Sequence, residues 1–196
     1  MKHKAFTLVE FIVVVVIIGI LAAILYPTFQ RPTPAYRSWC QSNLKQIGLG
    51  VLQYAQDAGE KYPPTQNAAG GWAALIQPYV KSDQIFQCPS DKTGAALKTT
   101  DYFYNARLSG VAQEKLDALS LTILAGDGLG DQPLNAHLSQ LPDIWRSAPN
   151  SPARRHFDTG NYLFADGHVK ALKPDKITLD KPAKGAPTFL IGEEKP

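Results

Sequence analysis

Apolar and polar positions follow three regimes along the chain. Over residues 6–26 only Thr7, Glu10 and Gly19 interrupt a continuous apolar run. As a helix that stretch is roughly 31 Å long, about the thickness of a bilayer's hydrocarbon core. Pro27, Pro32 and Pro34 follow closely. They predict a hinge over 27–35, because each proline removes a helical hydrogen bond and biases its predecessor toward extended backbone. Beyond it Cys40, Leu44, Ile47, Val51 and Ala55 recur at helical spacing, with Lys45, Gln46 and Gln53 off that face. The spacing predicts an amphipathic helix over 36–57, stopped at Ala58-Gly59.

In the third regime the periods are shorter. Residues 60–75 are rich in proline, glycine and asparagine and read as a loop, and a short helix is expected over 72–80, with Pro78 near its end. Ile85-Phe86-Gln87-Cys88 reads as a brief extended segment. Strands are expected at Tyr102-Phe103-Tyr104 and over 121–125, the latter ending at Gly126-Asp127-Gly128, and 129–153 reads mostly as loop. Over 161–172 two strand-like runs flank Asp166-Gly167, the dipeptide favoured in a two-residue hairpin turn with positive φ. Gly167 adopts that backbone at no steric cost. A first helix, an amphipathic helix and a small set of strands make an α+β chain.

The charged residues sharpen the first segment. Lys2, His3 and Lys4 form a short basic head that places this end on the cytoplasmic side of a membrane. The segment is too long, and its acid too early, for an ordinary secretory signal, and Ala22-Ala23 offers only a weak cleavage site. A plain anchor leaves Glu10 unexplained, since it lies about 9 Å along the helix from Lys4, where a carboxylate requires a partner. At headgroup depth it would merely favour the positive end of the helix dipole.

Lys4-Ala-Phe-Thr-Leu-Val-Glu10 followed by the Val/Ile run resembles the N-terminus of type IV pilins and type II secretion pseudopilins. The resemblance implies a leader of residues 1–5, cut between Ala5 and Phe6 by a prepilin peptidase that also methylates the new amine of Phe6. That family usually has glycine where Ala5 stands. It implies a helix retained as a filament core, with Glu10 attracting the N-terminal amine of a neighbouring copy, and Pro27 matching a proline that loosens the helix during assembly. His156, nine residues, then Asp166-Gly167 resembles the motif for which a large group of prepilin-type proteins is named. Cys40-Gln-Ser-Asn-Leu-Lys-Gln-Ile-Gly-Leu, Tyr54-Ala-Gln-Asp, Tyr79-Val-Lys, Phe86-Gln-Cys-Pro-Ser-Asp91 and Phe164-Ala-Asp-Gly-His-Val-Lys170 extend the likeness. The implied fold is pilin-like: a long N-terminal helix, half membrane-embedded and half amphipathic, packed on a small antiparallel sheet, with 36–196 as the exported domain. The implied role is a non-enzymatic subunit of a pilus or pseudopilus in the bacterial inner membrane. Its partners would be the peptidase/methyltransferase, copies of itself or other pilins, and the membrane.

Composition fits that role. The 196 residues carry a formal charge of +3, and loss of Lys2 and Lys4 with the leader leaves about +1, which gives no sign of nucleic-acid binding. Cys40 and Cys88 form no Cys-x-x-Cys; a disulfide in an oxidising compartment and two buried thiols are both open. His156, Asp166 and His168 are residue types that bind metal or shuttle protons. The turn accounts for Asp166, however, and His156 has a structural use in bonding the hairpin or a carboxylate such as Asp158. Asp127-Gly-Leu-Gly-Asp131 offers oxygen ligands for calcium on a glycine loop, or simply a surface turn. A chain that does not polymerise but captures a ligand through Trp72, Trp145 or the Asp127 loop is the alternative to a filament subunit.

Overall fold

The computed structural model describes residues 8–29, 33–68, 70–91, 99–178 and 185–190, without the side chains of 24–29, 33–35 and Asp131. The leader, Ala5 and Phe6 lie outside the described residues. The chain divides into two compact units, Met1–Ala35 and Tyr36–Pro196.

In the first unit, helix α1 runs over Leu8–Phe29. Its backbone therefore continues through Pro27, inside the stretch 27–35 where a hinge was expected; residues 30–32 of that stretch lie outside the described residues. The second helix, α2, is Thr33–Asp57 and so begins three residues earlier than the 36–57 expected. Pro34 is tolerated there because the first turn of a helix has no intrahelical partner for the missing N–H.

The stripe on α2 is the spine of the second unit. Cys40, Leu44, Ile47, Val51 and Ala55 are all fully buried. Two glycines bring neighbours onto the same helix. A Cβ on Gly48 would stand 2.7 Å from Leu163 Cδ1, and one on Gly50 would stand 2.5 Å from Val80 Cγ1. The helix ends as expected, at Gly59 and Glu60 with φ of 67° and 59°, and the Glu60 amide donates to the Ala55 carbonyl at 2.7 Å. Helix α3, Trp72–Val80, packs alongside through Trp72, Ala73 and Ile76. Where an extended segment was expected, Asp83–Phe86 forms a turn of 3-10 helix. Two adjacent apolar residues, Ile85 and Phe86, are both buried there in one and the same core, whereas a strand would send them to opposite faces.

The sheet comprises β1 (Thr99–Asn105), β2 (Ile123–Pro133), β3 (His137–Leu138), β4 (Gly160–Phe164) and β5 (Val169–Leu172). Its order is β3-β1-β2-β4-β5, antiparallel except for the short β1–β3 edge. Both faces are covered. Tyr102, Tyr104, Leu124 and Leu163 join the stripe of α2. Phe103, Ile123, Tyr162 and Phe164 pack on Leu141, Trp145, Ala153, Ile177 and Phe189; of these Trp145 lies on helix α4 (Asp143–Ser147), and Leu141 and Ala153 flank it. Successive side chains of a strand alternate between faces, so β1 and β4 each feed two cores.

Three local expectations are revised. The strand expected to end at Gly126-Asp127-Gly128 runs on to Pro133. Gly128 is needed inside it because a Cβ there would stand 3.0 Å from the Phe103 amide nitrogen. Region 129–153 also contains β3 and α4 as well as loop. Finally, the hairpin of β4 and β5 closes through three residues, not two. The Gly167 amide donates to the Phe164 carbonyl at 2.8 Å and the Phe164 amide to His168 at 2.9 Å. Gly167 has φ of 85° while Asp166 is absent from the positive-φ residues, so the loop is a type I turn closed by a glycine bulge.

Candidate functional site

Two features of the chain invite a functional reading: the surface of α1 and the surroundings of His156. Along α1 the apolar side chains are exposed on every side, from Leu8 at 76% to Leu21 at 53%. A helix that is apolar all round belongs inside something larger, a bilayer or a bundle of other helices. Glu10 is exposed in its first turn, where the helix dipole favours a carboxylate. The described side chains of α1 stop at Ala23, short of the roughly 20 residues a span requires; among the described residues no helix is long and apolar enough to cross a membrane. Pro27 is helical in backbone.

The second feature is buried. Cys40 of α2 and Cys88 are joined as a disulfide with Cα atoms 5.1 Å apart. His156 rests against it, 3% exposed, with Nε2 3.7 Å from Cys88 Sγ and Nδ1 3.4 Å from Ser90 Oγ. The same Nε2 lies 3.3 Å from Asp127 Oδ2. The carboxylate beside His156 is therefore Asp127 on β2, not Asp158, which pairs instead with Arg154 and Lys173. Asp127 Oδ2 also accepts the Asn161 amide at 2.6 Å, and its Oδ1 has no hydrogen-bond partner among the described residues. Burial first, and the Asp127 charge second, push the neighbouring Tyr102 hydroxyl well above the ordinary phenol range.

A tight turn sets His156 in place. The His156 amide donates to the Thr159 carbonyl at 2.9 Å and the Thr159 amide returns a bond to His156 at 3.2 Å. Between them Phe157 and Asp158 both have positive φ, 54° and 63°, the backbone of a type I′ turn. Phe157 is not a turn residue, and Asp158 alone is of a type favoured there, so the composition marked the turn only weakly. Phe157 is 58% exposed at its tip.

Asp166 and Gly167 lie elsewhere. Asp166 accepts from the His168 amide at 3.1 Å and meets its Nδ1 at 2.6 Å. Partial burial raises the Asp166 carboxyl, but the His168 amide and ring outweigh it and hold the group below its ordinary value. The turn is seated on α2: Lys45 Nζ donates to the Gly167 carbonyl at 2.6 Å, and Tyr62 OH reaches Ala165 at 3.1 Å. His156 thus braces α2 at Cys40, and Asp166-Gly167 braces it near Lys45 and Leu52. His156, Asp166 and His168 do not form one centre. Of the two calcium candidates, Asp127 is buried on β2 at 1% exposure, and the side chain of Asp131 lies outside the described residues. Trp72 is fully buried, stacked on Tyr104 with 5.3 Å between ring centres. Trp145 packs against Phe103 and lines a cavity of about 200 Å³ with Leu129 and His137.

An apolar N-terminal helix, followed by an amphipathic helix that carries a small sheet, defines a pilin-like α+β protein. The Prokaryotic N-terminal methylation motif matches residues 1–26. Fimbrial protein EcpC of Eikenella corrodens is 34% identical over 152 residues, covering 74% of this chain and 92% of that protein. The type II secretion system core protein G of Pseudomonas aeruginosa is 38% identical over 77 residues, 39% of this chain and 51% of that protein. No solved structure matches significantly. The chain belongs to the type IV pilin and type II secretion pseudopilin family, and it is a pilin or pseudopilin subunit.

Proposed function

We propose that residues 1–5 are a leader, cut between Ala5 and Phe6 by a prepilin peptidase that methylates the amine of Phe6. Before cleavage the chain sits once across the bacterial inner membrane, with its basic head in the cytoplasm and residues 36–196 exported. After cleavage the helix leaves the bilayer for the core of a filament of like subunits. The role is structural, with no catalytic step. The observation that carries this reading is the apolar surface exposed on every side of α1, which needs a lipid or helical environment before and after processing.

Glu10 sets the register in this scheme. Its carboxylate, in the first turn of α1, draws the amine of Phe6 from an adjacent copy, and in a dry core a charge pair relieves the cost of each ion alone. Sequencing the mature N-terminus should return methylated Phe6. Glu10→Ala should still fractionate with membranes, yet yield less than a tenth of the sheared filament recovered from the unaltered chain. Full filament yield from that variant would refute the pairing. Crosslinks between adjacent N-terminal helices should form ladders; a single-subunit product would instead favour an anchored protein that does not polymerise.

A further inference from the structure

The donor atoms of Cys40, Cys88 and His156 lie within 4.8 Å of one another, all three buried. Among the described residues no other such cluster of histidine, cysteine and acid is present. Asp127 lies at the edge of that cluster, with its Oδ2 3.3 Å from the same histidine nitrogen that stands 3.7 Å from Cys88 Sγ. Zinc bond lengths to sulfur, nitrogen and oxygen place neighbouring donors of a tetrahedron about 3.3–3.8 Å apart. Both of these separations, from His156 to Cys88 and to Asp127, fall in that interval. The two sulfurs, joined as a disulfide, are closer than a shared ion requires, and Asp127 must close on the sulfurs for all four donors to meet one ion.

We propose that the dithiol form of this chain binds one zinc ion through Cys40, Cys88, His156 and Asp127, at the place the disulfide occupies in the oxidised form. Three observations besides the spacing support the site. Asp127 is a buried carboxylate with one oxygen lacking a partner among the described residues, and a buried anion of that kind calls for a cation. His156 Nδ1 faces Ser90 Oγ, so a proton held there leaves Nε2 free to ligate, the orientation that outer partners impose on metal-bound histidines. A cavity of about 500 Å³ lined by Trp39, Asn43, Gln87, Cys88, Asp91 and Asp101 borders the site at Cys88, the side from which an ion would enter.

The two states exclude each other and interconvert in balance. Zinc binding releases one proton from each thiol. Oxidation by a disulfide-exchange partner then forms the S–S bond, passes two electrons to that partner's disulfide, and frees the hydrated ion. Either state ties α2 to the segment carrying Cys88 and to the His156 turn. The newly made chain therefore has that tie before any oxidant reaches it.

The test uses the full chain in detergent, freed of metal by chelation and compared after phosphine reduction and after oxidation. Cobalt(II) is the spectroscopic probe and zinc the competitor. The reduced chain should bind one cobalt with the intense visible bands of a tetrahedral site and thiolate charge-transfer absorption, and one equivalent of zinc should abolish both. The oxidised chain should give neither. His156→Ala and Asp127→Asn should each weaken zinc binding tenfold or more, while far-ultraviolet dichroism stays unchanged. Asp127→Asn preserves side-chain shape, so it decides the matter if His156→Ala misfolds. A reduced chain without thiolate–cobalt absorption overturns the site. Equal affinity in the oxidised chain, or in Asp127→Asn, likewise means an adventitious ion only.

Discussion

Gly167 carries two demands that no other residue meets together. Its φ of 85° lies in the left-handed region, and an added Cβ would stand 3.0 Å from Leu52 Cδ1 of α2. The left-handed backbone costs an ordinary residue about 1–2 kcal/mol, and the tight contact adds to that. Against these stands the smaller entropy of the unfolded alanine chain, about 0.4–1 kcal/mol. The balance is unfavourable, so Gly167→Ala should lower stability by roughly 1 kcal/mol, read as a lower urea midpoint at unchanged slope. An unchanged midpoint would mean that Leu52 moves aside and the turn relaxes. Phe157 illustrates the contrary case. It holds φ of 54° without being glycine, kept there by the reciprocal His156–Thr159 bonds and by the pairing of Asp158 with Arg154. The Arg154 hydrogen bond is the leading reason the Asp158 carboxyl lies below its usual range.

At the scale of elements, legibility follows the range of the interaction. The α2 stripe was readable because 3.6-residue periodicity records burial directly, and every stripe residue is at 0% exposure. The Asp166-Gly167 hairpin was readable too, though its loop length was not, because one Asp-Gly pair suits both a two-residue turn and a three-residue bulged loop. Gly126 and Gly128 misled in the other direction. They look like strand punctuation, yet they are small because Phe103, Tyr162 and the β1 backbone crowd them. The surroundings of His156 were not legible, since Cys40, Cys88, Asp127 and His156 come from separate segments that only the tertiary fold brings together. The glycines of α2 belong to this class. Alanine at position 50 would gain about 1 kcal/mol of helix propensity, but its Cβ would lie 2.5 Å from Val80 Cγ1. Valine has one strongly preferred rotamer in a helix, and overpacking of a filled seam costs about 1–3 kcal/mol. Gly50→Ala is therefore expected to destabilise, with a lower thermal midpoint, despite its better propensity. A higher midpoint would show that the seam between α2 and α3 yields.

The whole molecule joins two stretches of chain with opposite solvent requirements. The unit Tyr36–Pro196 closes both faces of its sheet with its own residues. One core is built on the α2 stripe and the other on Phe103, Tyr162 and Phe164. Every residue of the two cores belongs to that unit, while along residues 8–23 the large apolar side chains are exposed. Removing residues 1–35 should therefore separate the two requirements. The remaining chain should be soluble without detergent, elute as a monomer, and melt in a single cooperative transition. The disulfide between Cys40 and Cys88 lies wholly within it and should contribute about 2–4 kcal/mol, so reduction should lower that transition while leaving it cooperative. If the truncated chain instead aggregates or melts without a transition, the domain depends on the first helix for its fold. In that case the apolar surface of α1 could not be reserved for the membrane and filament, and a variant with polar substitutions along α1 would fail to fold even with residues 36–196 intact.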